Sequence, residues 1–288
     1  GGTKLAIALV EKGQILARYE VPTAVEKGPH GVFEQIFQGT DELMRDDVMG
    51  IGIGCPGTVR AEEGIVEFAP NLGWRKVEVT GVLQERYGLE IRLDNDANAA
   101  AWGEFCYGAG RGLEDIIYIT VSTGIGGGII LGGQIYRGCG QGGELGHVVL
   151  WDGGPLCSCG NKGCLEALAS GTSIAKRAQE RGLGGVSSKE VGLMAKEGHP
   201  VAVEILEKAF RYLGIGIANL MNILDPQLVI IGGGVSRMGQ QLLEPVRRVL
   251  PEFCLRRGMV GNRVVLSQLG ADVGIIGAAA LVDKPGLA

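Results

Sequence analysis

The chain has 288 residues, 45% of them apolar and 20% charged, with a formal net charge of −5; this is the profile of a soluble protein of one large or two ordinary domains. No Lys/Arg-rich block gives a nucleic-acid footprint, and no apolar run approaches the ~20 residues of a membrane span. Glycine is the outlier, 51 residues against 10 prolines, and its clusters point to tight turns and close backbone approaches rather than to disorder.

In chain order, residues 1–21 read as two strands around a turn at Glu11 to Gly13. A helix is expected over Gly31 to Arg45, a strand over Val48 to Gly54, and a hairpin over Thr58 to Glu67 turning at Glu62-Glu63-Gly64. Thr80 to Tyr87 reads as a helix, Ile91 to Leu93 as a short strand, and Ala97 to Tyr107 as an Ala-rich helix. Gly108 to Gly112 then reads as a joint between domains. Beyond it Ile116 to Val121 is a strand that leads into a second Gly-rich hairpin. That hairpin repeats the first: Gly13-Gln14-Ile15 with Arg18 is matched by Gly133-Gln134-Ile135 with Arg137, an internal duplication. Pro200 to Leu224 is a long helix, Leu228 to Ile231 a strand before Gly232-Gly233-Gly234, Val264 to Leu266 a strand and Gly274 to Val282 a terminal helix. The whole is mixed α/β in two halves.

Gly52-Ile53-Gly54-Cys55-Pro56-Gly57 matches the dinucleotide fingerprint letter for letter. That motif needs a helix next, to receive a pyrophosphate. A hairpin follows instead, so the match is read as a tight turn at a strand end. The seven cysteines are odd in number and three are clustered, unlike a secreted disulfide framework, and no signal-peptide pattern opens the chain. A reducing cytoplasm is the expected setting.

The cluster is His147-x9-Cys157-x-Cys159-x4-Cys164. A redox pair reads Cys-x-x-Cys, and a nucleophile needs one thiol with its base rather than three. One imidazole and three thiolates suit tetrahedral Zn²⁺, and four protein ligands leave no open position, so the metal is expected to be structural. Glu144, His147 and Glu166 flank the loop it would fix. Cys55, Cys106, Cys139 and Cys254 are assigned to packing, and His30 and His199 to loops without a role. The residues alone leave Asp96 open between a charge at a helix start and a catalytic base. They leave Gly124 to Gly128, and Gly232-Gly233-Gly234, open between plain turns and phosphate or nucleotide cradles.

Cys157-x-Cys159-Gly-x-x-Gly-Cys164-x-Glu166, Glu144-Leu-Gly-His147, Asn95-Asp96-Ala-Asn98 and Thr123-Gly-Ile-Gly-Gly-Gly128 together resemble the ROK family of sugar kinases and repressors, and within it the bacterial glucokinase branch. The resemblance spans nearly the whole chain. It implies the two-domain actin-like ATPase (ribonuclease-H-like) fold, with sugar and ATP meeting between the domains. The first domain is then residues 1–108, with a terminal helix at 273–286 packing back on it, and the second is residues 109–272 with the zinc loop. The two Gly-rich hairpins become two phosphate loops. By the same resemblance Asp96 is the catalytic base, and Asn71, Asn95, Asp96, Glu144, His147 and Glu166 contact the sugar. Gly1, Gly2, Thr3, Lys4, Thr123, Gly124, Gly126, Gly127, Gly128, Gly232 and Gly233 face the nucleotide. His147 is shared, one ring nitrogen on zinc and the other on a hydroxyl.

One departure is plain. The family's first phosphate motif is Asp-x-Gly-Gly-Thr, and this chain opens at Gly1-Gly2-Thr3-Lys4, without the Asp that helps organise Mg²⁺. The recorded chain is expected to be trimmed there. The expected activity is ATP- and Mg²⁺-dependent phosphorylation of glucose at its 6-hydroxyl, by a homodimer or homotetramer. The alternatives are a kinase for N-acetylmannosamine, N-acetylglucosamine or mannose, and a sugar-sensing repressor that has lost a DNA-binding domain. A polyphosphate donor is a further rival, and by the resemblance the family's polyphosphate enzymes look different at the first Gly-rich loop.

Overall fold

The computed structural model describes residues 2–256, 258 and 260–283. The chain divides into two compact units. Unit 1 comprises residues 1–112, 135–142 and 272–288, and unit 2 residues 113–134 and 143–271. The sequence boundary at 108/109 differs from this division by four residues, and residues 135–142 group with unit 1.

Unit 1 begins with an antiparallel hairpin, β1 (Lys4–Glu11) and β2 (Gln14–Pro22). Lys12 and Gly13 both have positive φ, 48° and 77°, the two-residue turn whose twist suits a tight hairpin. Next comes α1 (Gly28–Leu43). It starts three residues earlier than the apolar pattern suggests, because Pro29 fits the first helical turn; His30 therefore lies on this helix and pairs with Glu34 at 3.4 Å. Strand β3 (Gly50–Cys55) is followed by a three-stranded antiparallel sheet of β4 (Thr58–Arg60), β5 (Ile65–Ala69) and β6 (Trp74–Glu78). Then come α2 (Thr80–Tyr87), β7 (Glu90–Asn95) and α3 (Asp96–Tyr107). β3 and β7 pair in parallel, ending at Cys55 opposite Asn95. A core gathers around Trp74, which stacks on Phe33 at 5.9 Å.

Unit 2 is built on a sheet in the order β10-β9-β8-β11-β12. Its strands β8 (Ile116–Val121), β9 (Ile125–Leu131) and β10 (Gln134–Ile135) come first. Gly132 and Gly133, with φ of 55° and 71°, turn the β9–β10 hairpin as Lys12 and Gly13 turn the first one. Helices α4 (Leu165–Ala169), α5 (Gly171–Glu180), α6 (Ser188–Lys196) and α7 (Pro200–Leu224) follow. After them come β11 (Leu228–Gly232), α8 (Gln240–Phe253) and β12 (Val264–Leu266). Strands β8 and β11 pair in parallel and are buried almost throughout, which is why they read as plain apolar runs. The core of this unit lies between that sheet and α7.

The chain returns to unit 1 in α9 (Val273–Ala280), which lies on α3. Glycine sets that contact: a Cβ on Gly277 would run into the Ala99 carbonyl, and one on Gly103 would lie 2.9 Å from Gly277 Cα. Trp102 Nε1 donates to the Ala280 carbonyl at 2.7 Å, and the Tyr107 hydroxyl meets Asp283 at 2.6 Å. Residues 284–286 of the expected terminal helix lie outside the described residues. One of the dinucleotide-like glycines, Gly52, serves this packing. Gly52 leaves no room for a Cβ beneath the Ala278 carbonyl, and strand β4, not a helix, follows. Among the described residues no helix is long and apolar enough to cross a membrane.

Candidate functional site

In unit 1, Asn95 and Asp96 stand where β7 ends and α3 begins. Asn95 is the N-cap of α3: its Oδ1 accepts from Ala97 N at 2.8 Å and Asn98 N at 3.3 Å, and its Nδ2 donates to the Gly57 carbonyl at 3.0 Å. A side-chain acceptor here satisfies backbone donors that a helix start otherwise leaves unpaired. One amide hydrogen of Asn95 is left over. Asp96 leads the helix and keeps solvent-accessible surface, yet the crowd of protein around it desolvates the carboxyl enough to push it above its ordinary value of 3.8. The opposing backbone N–H groups of the first turn lower it, but not enough to reverse the shift. Asn71 sits exposed in the short turn Pro70–Leu72. Gly2 lies against it so closely that a Cβ would collide with the Asn71 carbonyl. Thr3 precedes β1; Lys4 opens it and reaches Glu20 at 3.0 Å. Gly1 lies outside the described residues.

Two residues of this centre escaped the sequence reading. Asp94 is only 2% exposed, and its carboxylate is fully engaged. Oδ1 accepts from Asn95 N at 2.8 Å and Asn98 Nδ2 at 2.9 Å; Oδ2 accepts from Arg137 Nε at 2.9 Å and Nη2 at 2.6 Å. In the sequence Asp94 is one more polar residue at a strand end, and Arg137 stood out only through the hairpin repeat.

In unit 2 the ligand atoms of His147, Cys157, Cys159 and Cys164 all lie within 4.8 Å of one another. Cys157 Sγ is 3.6 Å from His147 Nδ1, and Cys159 Sγ is 3.7 Å from Cys164 Sγ. Zn–S bonds of about 2.3 Å at tetrahedral angles put sulfurs about 3.8 Å apart, so the donor set fits zinc in kind, number and spacing. Burial pushes the Cys164 thiol up to about 12 and raises Cys157, while the Asn161 backbone N–H lowers Cys159. A metal would have to displace those protons. His147 Nε2 stays free of this group and lies 4.0 Å from Glu144 Oε2. Cys55, Cys106 and Cys254 are buried as expected, but Cys139 is exposed, because the Gly138–Gly140 turn carries it outward.

Glu166, in the first turn of α4, accepts from Ser158 Oγ at 2.9 Å and from Ile125 N at 3.1 Å. It thereby links the cysteine loop to the Ser122-Thr123-Gly124 turn between β8 and β9. The start of α5 holds the same turn: Gly171 N donates to Ser122 O at 2.7 Å, and Thr172 N to Thr123 O at 3.3 Å. Gly126, Gly127 and Gly128 are not in the turn; they pair with Thr120, Ile119 and Tyr118 within the sheet. Gly127 and Gly146 instead let the Glu144–His147 turn rest on β9, since their Cβ atoms would run into Leu145 and the Ile125 carbonyl. Gly233, with φ of 85°, closes β11 against Val121 O, and Gly232 lies over the Tyr118 ring.

Known proteins resemble this chain over nearly its whole length. The ROK family model matches residues 1–285. The glucokinase of Streptomyces coelicolor is 36% identical, over 99% of this chain and 96% of its own. A ROK family glucokinase from Streptomyces griseus, crystallised with glucose and AMPPNP, is 36% identical with a TM-score of 0.84, covering 99% of this chain and 97% of its own. A putative xylose repressor of a Caldicellulosiruptor species is 37% identical over 96% of this chain and 74% of its own length. The mixed α/β structure is thus the actin-like ATPase fold of the ROK glucokinases, and the chain belongs to the ROK family.

Proposed function

We propose that this protein transfers the γ-phosphoryl group of ATP to the 6-hydroxyl of glucose. The observation that carries the reading is Asp96, a carboxylate at a helix start that its surroundings hold above the ordinary range. Phosphoryl transfer asks a protein mainly for positioning and charge stabilisation, plus a base for the attacking hydroxyl. A carboxyl with a raised pKa is a better base than an ordinary one. Asn71 and the uncommitted amide hydrogen of Asn95 would bind sugar hydroxyls, as would Glu144, Glu166 and the free Nε2 of His147. The Thr123-Gly124 turn, with Gly126, Gly127 and Gly128 behind it, would receive donor phosphates; Gly2, Thr3, Lys4, Gly232 and Gly233 would line the rest of the nucleotide site. Mg²⁺ bound with the nucleotide would offset the charge of the phosphates. Zinc, with four protein ligands, would be structural. The glucose and AMPPNP of the Streptomyces griseus relative support both substrates. A homodimer or homotetramer and a cytoplasmic setting belong to the same proposal.

A coupled assay of ADP release tests it across glucose, mannose, N-acetylglucosamine and N-acetylmannosamine. The highest kcat/KM is expected for glucose, and a higher value for an acetylated hexosamine overturns the sugar assignment. The match to a xylose repressor favours a second reading, sugar sensing without catalysis. Tight sugar binding with no ADP release from any sugar would establish it.

A further inference from the structure

We infer that Asp94 and Arg137 are positioning residues for Asp96, a pair in which a buried carboxylate meets a half-exposed guanidinium and which fixes the first turn of α3 and so aims its leading carboxylate. The inference rests on the reading of Asp96 as the base. The two oxygens of Asp94 divide the work. Oδ2 takes both Arg137 donors, and Oδ1 holds the backbone N–H of Asn95 and the side-chain amide of Asn98. Those two residues bracket Asp96 in the sequence, one on each side of its turn. Asn98 Nδ2 must face the carboxylate, which leaves Asn98 Oδ1 buried without a hydrogen-bond partner. The cap by Asn95 is then set from two directions, by Asp94 on its N–H and by Gly57 on its amide.

Arg137 is the charge partner of this buried carboxylate. A charge so buried is tolerated only when paired, and Asp94 is 2% exposed. Without the guanidinium, the buried carboxylate loses its charge partner and both donors to Oδ2, and the bonds of Oδ1 to α3 lose their anchor. The arginine is itself anchored. Its carbonyl accepts from Gly140 N at 2.8 Å and Gly142 N at 2.9 Å, so the 137–142 turn is organised on it. Lysine could supply the charge but not the fork of two donors.

A double-mutant cycle tests the inference, with Arg137→Ala and Asp96→Asn made singly and together and each variant characterised by kcat, KM for glucose and thermal unfolding. A misplacement of about 1 Å can cost about a hundredfold in rate. Arg137→Ala is therefore expected to lower kcat about 10- to 100-fold, with a smaller change in KM. In the Asp96→Asn enzyme the same change should lower kcat less than about twofold, because the group being aimed is gone. Arg137→Lys should fall between wild type and Arg137→Ala, and it carries the same cycle if the alanine variant does not fold. A kcat within about twofold of wild type for Arg137→Ala, or equal proportional losses in both backgrounds, overturns the inference. Failure of the base assignment reads out separately: Asp96→Asn alone would then keep more than about a tenth of kcat, which removes the positioning role with it.

Discussion

Glu166 accepts the backbone N–H of Ile125 at 3.1 Å, so the last residue of the cysteine motif braces the turn that leads into β9. Its other oxygen takes the Ser158 hydroxyl, and Gly124 leaves no room for a side chain beneath it. Removing the acceptor orphans a part-buried donor, a loss of about 1–3 kcal/mol. Glu166→Ala is expected to weaken ATP binding on the order of tenfold. Glu166→Gln keeps an oxygen for Ile125 and should stay within about threefold. Calorimetric titration with ATP distinguishes them, and equal losses in both variants would assign the effect to charge rather than to the brace.

The His/Cys3 spacing makes a direct prediction about metal content. Purified protein should carry about one zinc per chain, by elemental analysis, as closed structural sites do. Stripping the metal with a chelator should lower the melting temperature even without substrates, since binding energy at such a site is folding energy. Cys159→Ser should do the same and weaken sugar binding, because His147 and Glu166 both belong to that loop. Full thermal stability in metal-free protein would refute the site.

Much of this was legible from residue order. The cysteine cluster, the hairpin repeat, the Asn95 cap region and the buried runs of β8 and β11 all carry local signals. Helix α6 also has one, the capping box of Ser187 and Glu190, which could have been found. Helix α8 was hidden by Pro245 and Pro251 within it, residues that ordinarily mark a helix end. The roles of Gly52, Gly127 and Gly146 were not legible at all. Each is defined by a neighbour distant in sequence, Ala278, Leu145 and Ile125, a place where two segments touch. The Asp94–Arg137 pair is likewise a 43-residue separation closed only by the fold.

That packing role predicts a graded cost. At Gly146 a methyl group would meet the Ile125 carbonyl, which is backbone and cannot yield; at Gly127 it would meet the Leu145 side chain, which can turn. Overpacking of this kind costs typically 1–3 kcal/mol, and each kcal/mol lowers the melting temperature by about 2–4 °C in a protein of this size class. Gly146→Ala should therefore lose several degrees in a thermal scan, and Gly127→Ala less. The reverse order would contradict the contact assignments.

Asp96 makes the most exacting prediction, because catalysis and stability should move in opposite directions. Its carboxyl is raised above 3.8 by desolvation, so the folded protein holds that proton more tightly than the unfolded chain does. The group then favours folding when protonated, and that contribution is lost as pH rises through its folded value. At pH 7 the charged side chain is a net cost, and Asp96→Asn, neutral and nearly isosteric, should unfold at a temperature equal to or above that of wild type. The difference should shrink as the pH falls toward 3.8. Asn cannot take a proton from the sugar hydroxyl, and general-base assistance is worth about 10²–10⁴-fold, so kcat should fall on the order of a thousandfold with glucose binding largely kept. In the wild-type enzyme the acid limb of kcat/KM should lie above the ordinary aspartate range, since the base must be ionised to act. Thermal scans at pH 7 and pH 4, with steady-state kinetics across the acid range, measure all of this. A variant that is both inactive and clearly less stable at pH 7 would mark Asp96 as a helix-start charge on the dipole of α3 rather than a base held at a cost.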